Sequence, residues 1–178
     1  MSQRDSGYER KERDLYETPA WVTHALFPHL PWQPEVIWEP AAGSGKMARA
    51  IIDASPKVVT VIESDIETGG DFLSEFLVQE GVEAIITNPP YALAQEFIKS
   101  ALDRMEGHGI IAMLLRTDFD HAKTRADLFA EHPAFAKKVV LTKRIKWFED
   151  SKGSPSFNHA WFIWDHQHQG APTLAYGP

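Results

Sequence analysis

The chain of 178 residues has no cysteine, which excludes a disulfide framework and any thiolate metal site. It has no apolar run of membrane-spanning length, and its first 14 residues are too polar for a secretory leader. The sequence therefore predicts a cytoplasmic protein with no membrane partner. It also lacks an excess of positive charge. A formal net charge of -7 argues against sequence-blind coating of nucleic acid. The deficit is uneven, however. The window 137–152 holds six basic and two acidic side chains, a net of +4 that leaves -11 for the rest. Such a strip on an acidic body can meet a phosphate backbone, or it can be a solvated strand face. The eight histidines show no metal-ligand spacing, so no metal is expected.

Hydrophobic residues make up 43% of the chain, enough for one globular domain. Residues 1–14 mix four basic and four acidic side chains and read as a loose tail, with a single domain over 15–178. Beyond the tail, strand and helix signals alternate. Strands are predicted at 35–39, 58–63, 83–87, 109–115, 138–142 and 160–165. Helices are predicted at 19–29, 46–54, 71–79, 92–105 and 122–131. Thr18 is the expected N-cap of the first helix, with Pro19 in its first turn. The order predicts an α/β fold with a mostly parallel sheet, covered by helices on both faces. The last two strands are joined by a loop without a helix and should be antiparallel. Only five residues separate Asp65 from Asp71, so a helix and a strand usual at that point are nearly absent.

Two strand ends carry the chemistry. The first opens into Glu39-Pro40-Ala41-Ala42-Gly43-Ser44-Gly45, a glycine-bearing turn ahead of a helix whose first N–H groups are free. It is not a phosphate-binding loop, because Gly45-Lys46 is followed by Met47 and the required earlier glycine is Pro40. Eighteen residues after Gly45, the second strand ends in Glu63. That spacing suits an acid on ribose hydroxyls, with Asp65 as the competing choice. The third strand ends in Asn88-Pro89-Pro90-Tyr91. As a plain turn this would be ordinary, since Asn and Pro are common there.

Together the two turns resemble the S-adenosylmethionine-dependent amino-methyltransferases, above all the N6-adenine nucleic-acid methyltransferases, over residues 15–165. The resemblance implies a Rossmann-like class I methyltransferase sheet with an antiparallel last strand. It implies S-adenosyl-L-methionine as cofactor, with Tyr16-Glu17-Thr18-Pro19 at its carboxylate and Glu39 at its ammonium. Pro40, Ala41, Gly43 and Gly45 would line it, Asp71 would accept from its adenine amino group, and Phe72 would flank the ring. Asn88 and the Pro89 carbonyl would accept from the target amino group, Pro90 would fix that carbonyl, and Tyr91 would stack on the base. A second stacking aromatic is expected on the loop 146–159, with Phe148 and Phe157 preferred over Trp147. Arg116, at the site edge, and Lys143, Arg144 and Lys146 would touch substrate.

No counterpart of the family's separate target-recognition domain is expected in these residues, an arrangement that resembles the small orphan enzymes of phages and mobile elements. DNA adenine is the expected target. RNA adenine, a protein glutamine amide, or a non-catalytic subunit of the same fold are the alternatives. Trp161, Phe162, Ile163 and Trp164 read as core.

Overall fold

Short strands of apolar residues alternate with helices, and each apolar strand must bury both its faces. The computed structural model describes residues 16–74, 80–147 and 157–178. The expected tail, most of the predicted helix 71–79, and Phe148 lie outside the described residues. The elements are α1 (Ala20–His24), β1 (Val36–Glu39), α2 (Lys46–Ala54), β2 (Thr60–Glu63) and β3 (Ala84–Thr87). They continue as α3 (Ala94–Arg104), β4 (Ile110–Arg116), β5 (Phe135–Leu141), β6 (His159–Asp165) and β7 (Thr173–Gly177).

The strands form one sheet in the order β2-β1-β3-β4-β6-β5-β7. Strands β2, β1, β3 and β4 are mutually parallel. Strand β6 runs antiparallel to both β4 and β5, with Ala112 opposite Ile163 and Val139 opposite Trp161. The reversed strand is as expected, but it is not the final one. Strand β7 follows it and pairs parallel with β5 at the far edge. At the other edge lies β2, with no strand beyond it among the described residues. This fits the five-residue connection from Asp65 to Asp71, which is too short for a further helix and strand.

Side chains alternate across the sheet. Trp38, Ile85, Ile111, Met113, Phe162 and Trp164 face the layer formed by α3. Ile37, Ile86, Ala112, Leu114, Trp161 and Ile163 face α1 and α2. Helix α3 turns Ala94, Phe97, Ile98, Ala101 and Leu102 inward at three- and four-residue spacing. Each large apolar side chain buried in this way stabilises the fold by about 1.5–3 kcal/mol.

Two predicted helices are different in kind. The segment 19–29 is α1 followed by a separate 3-10 turn, Phe27–His29, because Pro28 has no N–H and disfavours a helical residue before it. Pro19, not Thr18, occupies the N-cap, and no side chain caps this helix. The predicted helix 122–131 is a 3-10 segment, Lys123–Leu128, in which only Leu128 is buried. A helix without an apolar face gains little from packing.

Candidate active site

The C-terminal ends of β1, β2 and β3 open onto one cleft, where ligands settle in open α/β sheets. Thr18, Glu39, Gly43, Asp65, Asn88 and Pro90 are among its lining residues. The Gly-bearing turn is tied to the end of β2. The Gly43 N–H donates to Asp65 Oδ2 (2.9 Å), and the Ala42 N–H donates to the Ser64 carbonyl (3.0 Å). The second oxygen of Asp65 accepts from the Glu67 N–H at 2.9 Å. Gly45 adopts φ 75°, and a Cβ there would lie 2.5 Å from Glu63 Oε2. Glycine is thus required both by the left-handed backbone and by the carboxylate against it.

Glu39 is 1% exposed. Its Oε1 accepts from the Ala41 N–H at 3.1 Å, while Oε2 is buried without a hydrogen-bond partner. Burial pushes its pKa up to about 8. The nearby Thr87 hydroxyl, which stops short of a hydrogen bond in this geometry, and the Ala41 N–H oppose this, and the Glu63 and Asp65 charges add to it. A cation placed against this buried carboxyl would favour its charged form and bring that pKa back down.

Asn88 stands directly after β3. Its Nδ2 donates to the Tyr16 carbonyl at 3.2 Å, which fixes the amide's orientation. Its Oδ1 is left buried and without a partner. Pro89 behind it is buried. Tyr91 stacks on His159 of β6, with centroids 5.9 Å apart and planes at 26°. Trp147 meets the same imidazole edge-on at 5.2 Å and the Tyr16 ring at 5.4 Å. His159 is 2% exposed. Burial and, less strongly, the Arg116 charge lower its pKa to about 4, against the opposing pull of Asp118 and the Phe157 backbone.

The other expected residues are spread around this centre. Pro19, Pro40, Gly45 and Glu63 lie outside the cleft lining, whereas Ala41 is within it. Asp71 turns its carboxylate onto its own loop, accepting from the Leu73 N–H (3.0 Å). The Ser74 hydroxyl and that N–H hold its pKa below the usual carboxylate value. Phe72 is a core residue, packed on Trp38 and Phe97 with the Arg104 guanidinium 4.9 Å above its ring. Arg116 is paired through two bonds with Asp118 (3.0 and 2.7 Å) and lies 4.3 Å from the Phe157 ring centroid.

Lys143, Arg144 and Lys146 are exposed around buried Ile145. Lys143 Nζ sits 5.0 Å from the Trp21 ring, and Arg144 donates to Asn158 Oδ1 at 2.9 Å. Lys137 and Lys138, by contrast, turn inward onto the His29 carbonyl and Asp120, so they do not extend a basic strip. Sequence reasoning did not single out Ile66, which is 68% exposed at the cleft lip, nor Tyr16's carbonyl, nor His159. Among the described residues, no group of three or more His, Asp or Glu could hold a metal ion, and no helix is long and apolar enough to cross a membrane.

No protein-family model matches the sequence, and neither does any curated protein. Solved structures do. The methyltransferase subunit of a type I restriction-modification system from Streptococcus thermophilus superposes with a TM-score of 0.62 at 15% identity, over 86% of this chain and 45% of that one. A putative class I S-adenosylmethionine-dependent methyltransferase from Listeria monocytogenes gives 0.56 at 12% identity, over 88% and 62%. A dimethyladenosine transferase from Plasmodium falciparum gives 0.58 at 11% identity, over 85% and 62%. The chain thus spans less than half of the first relative and less than two thirds of the other two. The fold is the Rossmann-like fold of the class I methyltransferases.

Proposed function

We propose that the chain transfers a methyl group from S-adenosylmethionine to the exocyclic N6 amino group of adenine in DNA. The observation that carries this reading is Asn88, whose amide nitrogen is anchored on the Tyr16 carbonyl while its Oδ1 is buried without a partner at the cleft. An unsatisfied buried acceptor costs about 1–3 kcal/mol. An incoming N–H donor would remove that cost.

The adenine amino nitrogen is a poor nucleophile because its lone pair is delocalised into the ring. Asn88 Oδ1 and the Pro89 carbonyl would accept its two hydrogens and localise the lone pair. Acceptors placed where positive charge develops stabilise the transition state, and no general base is needed. A base within a duplex cannot reach the cleft, so the target must be flipped out or single-stranded. The Phe157 ring under Arg116 and the exposed Lys143, Arg144 and Lys146 are the groups we assign to flanking nucleotides and phosphates.

The residues present fit the cofactor. Bound in the cleft, S-adenosylmethionine supplies an activated methyl group on a sulfonium. Glu39 would hold its ammonium, and Thr18 with the start of α1 would face its carboxylate. Asp65, within the lining, is the acid we assign to the ribose hydroxyls, with Glu63 behind Gly45 as the lesser candidate. Ile66 would cover the adenine ring, and Asp71 would have to turn from its own loop to meet the amino group.

The test is transfer of labelled methyl from S-adenosylmethionine to unmethylated duplex DNA, single-stranded DNA, RNA and protein extract, followed by nucleoside mass analysis. N6-methyladenine in DNA is the expected product. Label in RNA or on a glutamine amide would keep the chemistry and move the substrate. No label despite measurable cofactor binding would overturn the reading.

A further inference from the structure

Contacts around Asn88 close into a ring drawn from four separate parts of the chain. Asn88 Nδ2 bonds the Tyr16 carbonyl. The Tyr16 ring lies on Trp147, tilted at 50°. Trp147 abuts His159 at 86°, and His159 stacks on Tyr91, three residues beyond Asn88. None of Tyr16, Trp147 or His159 is adjacent to the others in sequence. The ring is therefore a product of the tertiary fold.

Resting on the function proposed above, we infer that Trp147 and His159 are positioning residues. They hold Tyr16 and Tyr91 so that the Tyr16 carbonyl fixes the Asn88 amide with Oδ1 toward the substrate amino group. The reason is the two-fold ambiguity of a primary amide. Its terminal torsion is broad, and half a turn exchanges oxygen for nitrogen at nearly the same position. With the nitrogen toward substrate, a donor would face a donor and the lone pair could not be localised. Among the described residues, the carbonyl of residue 16 is the hydrogen-bond partner that separates the two states. That carbonyl belongs to a segment ahead of α1, and the Trp147 ring packs against the Tyr16 side chain.

His159 suits its place because it is flat and neutral. Burial keeps the imidazole uncharged at neutral pH. It can therefore back the Tyr91 ring without setting a positive charge beside a centre where positive charge develops. It also occupies β6 opposite Arg116 of β4, so the sheet itself fixes its position.

The experiment compares Trp147→Ala, Trp147→Phe, His159→Ala and His159→Phe, with Asn88→Ala as reference. The alanine variants should lose kcat by on the order of 10- to 100-fold with little change in cofactor affinity, since a small misplacement of a reacting group has that effect. The phenylalanine variants should recover most of the loss. In nitrogen-15 spectra of the free protein, the Asn88 side-chain amide pair should move in the alanine variants and stay in the phenylalanine ones. Unchanged kcat, or an unmoved amide pair, in the alanine variants would overturn the inference. So would a loss shared equally by the phenylalanine variants. Should Trp147→Ala unfold, Trp147→Leu fills the space without the ring contacts and is read the same way. If Asn88→Ala itself retains transfer, the function reading falls. The amide shift, read without substrate, still decides whether the ring holds Asn88.

Discussion

At the scale of the residue, Asn88 and Glu39 make separable contributions. Replacing Asn88 with Ala removes an acceptor that the cofactor does not touch in the proposed geometry. Transfer should be abolished while a calorimetric titration with S-adenosylmethionine gives nearly the same affinity. A matched fall in both would reassign Asn88 to cofactor binding. Glu39 should mark the pH dependence of stability. Its pKa is about 8 in the folded chain, against an ordinary value of 4.5. Between those values the folded protein keeps a proton that the unfolded chain has released. The protonated form's stabilisation is therefore full below 4.5 and lost as pH rises through about 8. The slope is about 1.4 kcal/mol per pH unit at most. Urea unfolding between pH 5 and 8 should show this decline, and Glu39→Gln, which cannot ionise, should flatten it. Equal slopes in the two proteins would mean that Glu39 is not held as the neutral acid. The same residues show the limit of reading a sequence. Glu39 and Asn88 stand at strand ends marked by Gly and Pro, and so are legible. The Tyr16 carbonyl is not, because a backbone acceptor 72 residues away leaves no trace in side-chain pattern.

At the scale of the element, boundaries are legible wherever glycine or proline punctuates an apolar run. Helix α2 matches its expected span, with Gly45 before it and Pro56 soon after. The 3-10 segment Lys123–Leu128 reads as a helix in the sequence because six residues cannot separate a period of 3.0 from one of 3.6. Strand β7 escapes sequence reading because most of it faces solvent, with Leu174 58% and Tyr176 63% exposed, so it carries no buried run. Sequence alone favours Phe148 and Phe157 over Trp147 as a second stacking face; Trp147 packs on Tyr16 and His159, and Phe157 lies under Arg116. Gly109 shows how tightly one joint is built. It sits before β4 at φ 79°, and a Cβ would fall onto the Met105 methyl and within 2.8 Å of the Glu83 carbonyl. Gly109→Ala should destabilise the protein by about 1–3 kcal/mol, through left-handed strain and a backbone clash. Its thermal midpoint measures this, and an unaltered midpoint would show that the β3–β4 joint yields freely.

At the scale of the whole molecule, an acidic body presents a small exposed basic group, Lys143, Arg144 and Lys146. Replacing Lys143, Arg144 and Lys146 together with Ala should weaken DNA binding evenly across sequences. It should also flatten the plot of log affinity against log salt by about 0.9 for each phosphate that these side chains neutralise. A slope that does not change would overturn the assignment of these three side chains to phosphates in the proposed function.

The strand order has a further consequence, in the timing of assembly. Strand β6 is made after β5 yet seats between it and β4, so the β4 edge stays open until residues 159–165 have left the ribosome. The same strand delivers His159 to the back of Tyr91. Closure of the sheet and completion of the aromatic wall are thus one late event. A translation product cut short before it keeps the cofactor-side turns but has an open sheet edge that invites aggregation.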